Sequence, residues 1–142
     1  MTPDIGALLR EMLAHGAFQH FMQLELVDHD ASAGAVSIHA PWRPEFERGA
    51  GSRQWHGGPI AALIDIVGDF ALIASLGRGI PTINLRIDYL RPAIDTDLLA
   101  RARVLRAGRS VGVVDIELLD SKQRIVAVGR ANYSTLEPAA SS

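Results

Sequence analysis

The sequence contains no cysteine, which excludes disulfides, thiolate metal sites and a cysteine nucleophile. It has no surplus of either charge: the formal net charge is −2 and the pI near 6.2. A basic nucleic-acid footprint and a polybasic membrane patch are therefore both missing. His15, His20, His29 and His39 stand at no recognisable metal-ligand spacing, so no metal site is expected and they read as surface or helix-end residues. No uninterrupted apolar run reaches membrane-spanning length. The longest, from Pro59 to Leu76, carries Asp65 and Asp69 near its centre, and each would cost about 2.5 to 3.5 kcal/mol to insert into a bilayer. The amino terminus lacks the basic segment and continuous apolar stretch of a secretory signal, since Asp4 and Glu11 flank a broken stripe with only Arg10 as a cation. The protein reads as cytoplasmic, with no nucleic-acid or membrane partner.

What remains is 142 residues, 48% of them hydrophobic and 21% charged, enough for one domain with an adequate core over 1–142. Ile5, Leu8, Leu9, Met12 and Leu13 form a helical stripe over 1–16, with Thr2 as N-cap and Pro3 behind it. Met22 to His29 and Gly34 to Ala40 follow with rough period-two patterning and read as a strand pair. The segment from Pro41 to Gln54 is polar, holds two prolines and two glycines, and reads as a surface loop. Gly57-Gly58-Pro59 opens the apolar run as a helix, with Pro59 at its first position and Gly77 and Gly79 ending it before Pro81. A helix with almost no polar face must be covered on most sides. Four strands supply the cover, starting with Ile83, Leu85, Ile87 and Tyr89 in alternation with Asn84, Arg86 and Asp88, then Leu98 to Leu105, Val111 to Leu119 and Arg124 to Tyr133. Residues 137–142 read as a disordered tail. The order predicts an α+β fold, a curved antiparallel sheet wrapped around one long central helix.

The residues with chemistry to offer begin at His56-Gly57-Gly58. Two glycines at a helix start let a ligand approach the backbone, and the free amides there, aided by the helix dipole, stabilise developing negative charge. A tight entry turn would use the same two glycines. Asp65 lies among Leu63, Ile64, Ile66 and Val67, where an unpaired carboxylate costs several kcal/mol. Asp69 sits one turn later, so at least one of the two carboxyl pKa values should be raised; either carboxyl also suits a structural bond to a neighbouring loop. Gly57 and Asp65 are eight residues apart, roughly 12 Å along a straight helix. They cannot both touch one carbonyl carbon. If both act in one reaction, a two-fold dimer that faces Gly57 of one subunit to Asp65 of the other is the simplest arrangement.

Weaker candidates surround these. His56 serves either as a donor to substrate or as a loop support. Arg91, Arg109 and Ser110 suit phosphate contacts, the last two following Gly108 at a turn. Trp42 and Trp55 flank the polar loop and suit either packing or the wall of a pocket.

Taken together, His56-Gly57-Gly58, Ala62-Leu63-Ile64-Asp65, Thr82 to Asp88 with Tyr89-Leu90-Arg91-Pro92, the Gly108-Arg109 turn and Ala127-Val128-Gly129 resemble the hotdog-fold acyl-CoA thioesterases related to the phenylacetate-degradation protein PaaI. The resemblance spans roughly Gly34 to Tyr133. It implies hydrolysis of acyl-CoA thioesters with no cofactor beyond the CoA of the substrate, in a homodimer or dimer of dimers. It also implies Asp65 as nucleophile or general base, the Gly57 amide as oxyanion donor, Thr82 as a hydroxyl near the attacking water, and Gly58, Gln54 and Trp55 on the substrate side. Family members commonly carry an asparagine six residues before the histidine and a glycine three before it. Ala50 and Arg53 stand there instead, with Ser52 and Gln54 the nearest substitutes.

That departure motivates a second hypothesis, a non-catalytic acyl-CoA binding or sensing domain. A third, a hotdog hydratase or dehydratase, would pair a histidine with a helix acid in a different loop context, and the Gly-Gly after His56 argues against it.

Overall fold

A computed structural model describes residues 4–139. The first helix, α1 (Ile5–His15), is capped by Asp4, whose side chain accepts the Ala7 N–H at 3.1 Å. Asp4 thus takes the role expected of Thr2, which lies outside the described residues; a carboxylate satisfies an early helical amide and meets the positive end of the helix dipole as well. A second helix follows directly, α2 (Ala17–Phe21), one that the apolar periodicity did not reveal because five residues are too few to repeat a 3.6-residue pattern. It displaces Met22 and Leu24 from the expected first strand. Both are buried as expected, but β1 (Glu25–Asp30) begins after them and pairs with β2 (Ala35–Ala40).

The central helix α3 (Gly57–Leu76) is followed by β3 (Thr82–Tyr89), β4 (Leu98–Ala107), β5 (Val111–Leu119) and β6 (Ile125–Ser134). The six strands form one antiparallel sheet in the order β1-β2-β4-β5-β6-β3. On leaving α3 the chain therefore runs to the far edge of the sheet. Register shifts at Leu26/Asp28, Thr82/Asn84, Val104/Arg106 and Leu118/Leu119 add local twist, and the sheet curves around α3. This is the expected α+β architecture.

α3 ends at Gly77, whose φ of 75° places it in the left-handed region while its N–H caps Ile73. Pro59 is its third residue rather than its first, because His56 is the N-cap; a proline in the first turn still sacrifices only an amide with no partner inside the helix. Leu63, Ile64, Val67, Leu72 and Ile73 are all at most 1% exposed, and each such side chain contributes roughly 1.5 to 3 kcal/mol by leaving water. Apolar length alone would let this helix cross a membrane; its burial against the sheet makes it the core helix instead. Gly68 lets the sheet come close, since a Cβ there would collide with the Tyr133 hydroxyl and lie 3.0 Å from Ile116 Cδ1.

The segment 41–54 departs from the expectation of a plain surface loop. It contains a 3₁₀ turn, Pro44–Phe46, that buries Phe46 beneath the Trp55 ring at a centroid distance of 5.0 Å. Trp42 meets Trp55 edge-on at 6.0 Å. Its exposed polar residues hide an aromatic anchor.

Candidate active site

Two groups of residues stand out, one at each end of the same stretch of α3. At the helix start, His56 N–H donates to Phe46 O at 2.7 Å, and His56 Nδ1 accepts the Gly58 N–H at 3.1 Å. The bond fixes the tautomer: Nδ1 is the acceptor, so a neutral ring carries its proton on Nε2. It also consumes the Gly58 amide and leaves the Gly57 N–H with no acceptor among the described residues. Gly57 lines a cleft of about 320 Å³ together with Arg48, Gln54, Trp55, Tyr89 and Arg91.

Eight residues along, Asp65 Oδ1 accepts a 2.7 Å bond from the Thr82 hydroxyl. Among the described residues no donor engages its other oxygen. Beneath it, the fully buried Tyr133 donates its hydroxyl to the Asp65 backbone carbonyl at 2.7 Å. Burial, followed by the charges of Asp65 and Asp69, pushes the Tyr133 hydroxyl far above its ordinary range, so it stays a donor. Asp69 has one oxygen buried without a hydrogen-bond partner among the described residues. Burial first, and then the charge of Asp65, pushes its carboxyl up to about 7. The expected conflict between the two carboxylates is therefore resolved on Asp69.

The remaining candidates divide between these groups. His56, Gly57, Gly58, Gln54, Trp55 and Arg91 gather at the helix start. Arg109 and Ser110 lie at the other end of the sheet, in the β4–β5 turn, the end at which Thr82 begins β3; Thr135 N–H donates to Ser110 O and Ser134 N–H to Pro81 O, with β6 between the two. Within one chain the structure does not bring Gly57 and Asp65 together. Trp55 is only 2% exposed, with its indole N–H donating to Thr96 O at 2.8 Å. It is chiefly a packed wall. Among the described residues no three His, Asp or Glu side chains gather as metal ligands would.

The altered loop keeps a glycine-like backbone. Arg53 has φ 53°, a conformation that costs a non-glycine residue roughly 1 to 2 kcal/mol. Its N–H donates to Glu47 Oε2 at 3.2 Å, its Nε to Asp95 Oδ1 at 2.6 Å, and its guanidinium lies 5.4 Å from the Trp42 ring centre. Side-chain contacts thus offset what the missing glycine would have supplied without strain. Ser52 Oγ is occupied by the amides of Gly49 and Gln54, and Ala50 is exposed at the loop tip.

Tyr89 was missed as a site residue. Its hydroxyl donates to the Gly57 carbonyl at 2.8 Å, a contact that joins residues 32 apart in the chain, and its strand alternation signals only an inward-facing position.

The family model described as the thioesterase superfamily matches residues 54–127, which include the His56-Gly57-Gly58 turn, Asp65 and Thr82. The medium/long-chain acyl-CoA thioesterase YigI of Salmonella typhimurium is 33% identical over 143 residues, covering 89% of this chain and 90% of its own. Among solved structures, a phenylacetic acid degradation-related protein of Ralstonia eutropha superposes with a TM-score of 0.82 at 28% identity, covering 93% of this chain and 99% of its own. The PaaI protein of Escherichia coli superposes with a TM-score of 0.81 at 24% identity over 93% of this chain and 94% of its own, a likeness of fold. Sequence match, architecture and the resemblance of the helix-start motif agree, and the chain is a hotdog-fold member of the thioesterase superfamily.

Proposed function

We propose that this protein hydrolyses acyl-CoA thioesters to the free acid and CoA, with Asp65 as the reacting carboxylate and the Gly57 amide as oxyanion donor. The observation that carries the reading is the pairing of an Asp65 oriented by Thr82 with a Gly57 amide left free by the His56 cap, on one helix of a thioesterase-superfamily chain. Thr82 holds Oδ1, so Oδ2 is the oxygen that removes a proton from water or attacks the thioester carbon directly. Negative charge then develops on the carbonyl oxygen and is met by the Gly57 N–H at the positive end of the α3 dipole. The tetrahedral centre collapses with cleavage of the carbon–sulfur bond. The sulfur leaves with the electron pair. In the general-base route it takes up the proton that Asp65 removed from water. In the direct route the thiolate leaves an acyl–Asp65 anhydride that water hydrolyses, the two protons of that water ending on the thiol and the acid or its buffer.

The site is completed by a second copy. Eight helical residues separate Gly57 from Asp65, roughly 12 Å, too far for one carbonyl group. β3 is an edge strand with a free hydrogen-bonding side, and Ile83, Tyr89 and Leu90 on and beside it are 52 to 60% exposed. An edge of this kind is a template for pairing. A two-fold axis there would set Gly57 and Arg91 of one subunit against Asp65, Arg109 and Ser110 of the other, so the arginines from the two ends would converge on the phosphates of a single CoA.

The test is thiol release from aryl, short-chain and medium-to-long-chain acyl-CoAs, with wild type and Asp65→Asn compared. Every thiol detected is product, because the protein has no cysteine. Turnover by wild type should fall by at least 10³-fold in the variant, the scale on which losing a reacting group is felt. Acyl-CoA binding without any release would instead support a binding domain, and full activity in the variant would remove Asp65 from the mechanism.

A further inference from the structure

The Gly57 amide must point in one direction to meet a developing oxyanion, yet it belongs to a residue with no side chain, followed by a second glycine. Something else has to hold it. Two of the holds are local: His56 N–H on Phe46 O at 2.7 Å and the Gly58 N–H on His56 Nδ1 at 3.1 Å. The third comes from the sheet, where Tyr89 donates its hydroxyl to Gly57 O at 2.8 Å. The ring closes on the bare Cα, so that a Cβ at position 57 would stand 3.3 Å from Tyr89 Oη and 3.4 Å from Cζ. Tyr89 is not there for core packing, since it is 53% exposed. Its neighbours on the same strand face, Leu85 and Ile87, are the half-buried ones.

β3 runs antiparallel to α3, and it grips the helix at both functional points. Its first residue, Thr82, donates to Asp65, and its last, Tyr89, donates to Gly57. One strand thereby contacts both the carboxylate of Asp65 and the backbone of Gly57.

We propose that Tyr89 is a positioning residue: its hydroxyl holds the carbonyl of the Gly57–Gly58 peptide, whose N–H is held by His56, and so fixes the Gly57 Cα and the direction of the adjoining Gly57 N–H toward the thioester carbonyl. This rests on the hydrolase reading above and extends it to a residue that acts through the Gly57 backbone. A small reorientation of an oxyanion donor is costly, because misplacement by about 1 Å can reduce rate by about a hundredfold.

The experiment is Tyr89→Phe, which keeps the ring and removes the donor, alongside wild type and Asp65→Asn. Its kcat should fall about ten- to a hundredfold, with KM within about twofold. Affinity for a CoA thioether, which has no carbonyl to polarise, should stay within about twofold, and the melting temperature within about 3 °C. The Gly57 amide resonance in an ¹H–¹⁵N spectrum should shift or broaden. An unchanged Gly57 resonance would overturn the proposal whether or not any substrate turns over, as would an unchanged kcat in an active enzyme. A thioether affinity that falls as far as kcat/KM would also overturn it, by making Tyr89 a general binding residue. Absence of wild-type turnover, or full activity in Asp65→Asn, would instead strike the hydrolase reading, while the amide resonance still decides the role of Tyr89.

Discussion

Replacing Asp69 by asparagine removes an ionisable group from the apolar body of α3 while keeping its shape, and the consequence can be worked out in advance. Burial, then the charge of Asp65, lifts the Asp69 carboxyl from 3.8 to about 7 in the folded protein. Between those values the native state keeps a proton that the unfolded chain has released, so the native state binds more protons and stability falls as pH rises. The loss begins near pH 4 and is complete above pH 7. Its ceiling is about 4 kcal/mol, from 1.36 kcal/mol per pKa unit. Asp69→Asn cannot ionise and escapes the penalty. From pH 5 to pH 8 the stability of the variant relative to wild type should therefore widen by roughly 2 to 3 kcal/mol. In melting temperature that is about 8 °C for a domain of this size, read at one fixed protein concentration because association also moves the transition. A difference between variant and wild type that stays flat from pH 5 to pH 8 would refute the reasoning. It would mean that Asp69 is ionised throughout, with a partner or with water, and that its buried oxygen is not an orphan.

Three further outcomes follow from the contacts described. Asp65→Asn should lose at least 10³-fold in thiol release, as set out above. Gly68→Ala should destabilise by roughly 2 to 4 kcal/mol, because its Cβ meets the Tyr133 hydroxyl first. Tyr133→Phe alone should cost about 1 kcal/mol for the lost bond to Asp65 O, and in the double variant part of the Gly68→Ala cost should vanish; strict additivity in chemical denaturation would show that the two do not collide. Arg53→Gly should leave stability within about 1 kcal/mol of wild type, losing the exposed pair with Asp95 but shedding the left-handed strain. Arg53→Ala should be less stable than Arg53→Gly by roughly 1 kcal/mol, and equal melting of the two would mean that the loop relaxes out of its positive φ.

Much of this protein is written along the chain. The alternation of Ile83, Leu85 and Ile87 and the lengths of the later strands depend on neighbours two residues apart, so local pattern suffices to read them. The all-round apolar character of residues 57–76 announces a covered helix, and the two glycines after His56 announce backbone chemistry at its start. Asp65 and Asp69 in that setting signal a perturbed carboxyl from their neighbours in the chain alone. Local pattern fails where an element is too short or where its justification lies far away. α2 spans one turn, and the burial of Phe46 under Trp55 depends on a meeting that no periodicity encodes. Only the folded chain decides which carboxyl bears the strain, because Thr82 comes from the far edge of the sheet to bond Asp65 while no donor reaches the buried oxygen of Asp69 among the described residues. The same holds for Tyr89 on Gly57 and for Arg53 in a glycine conformation braced by Glu47, Asp95 and Trp42. A sequence specifies which groups are present and how each short segment prefers to bend. Hydrogen bonds and desolvation act between groups that are close in space, and proximity across 17 or 32 residues exists only once the sheet has closed around the helix.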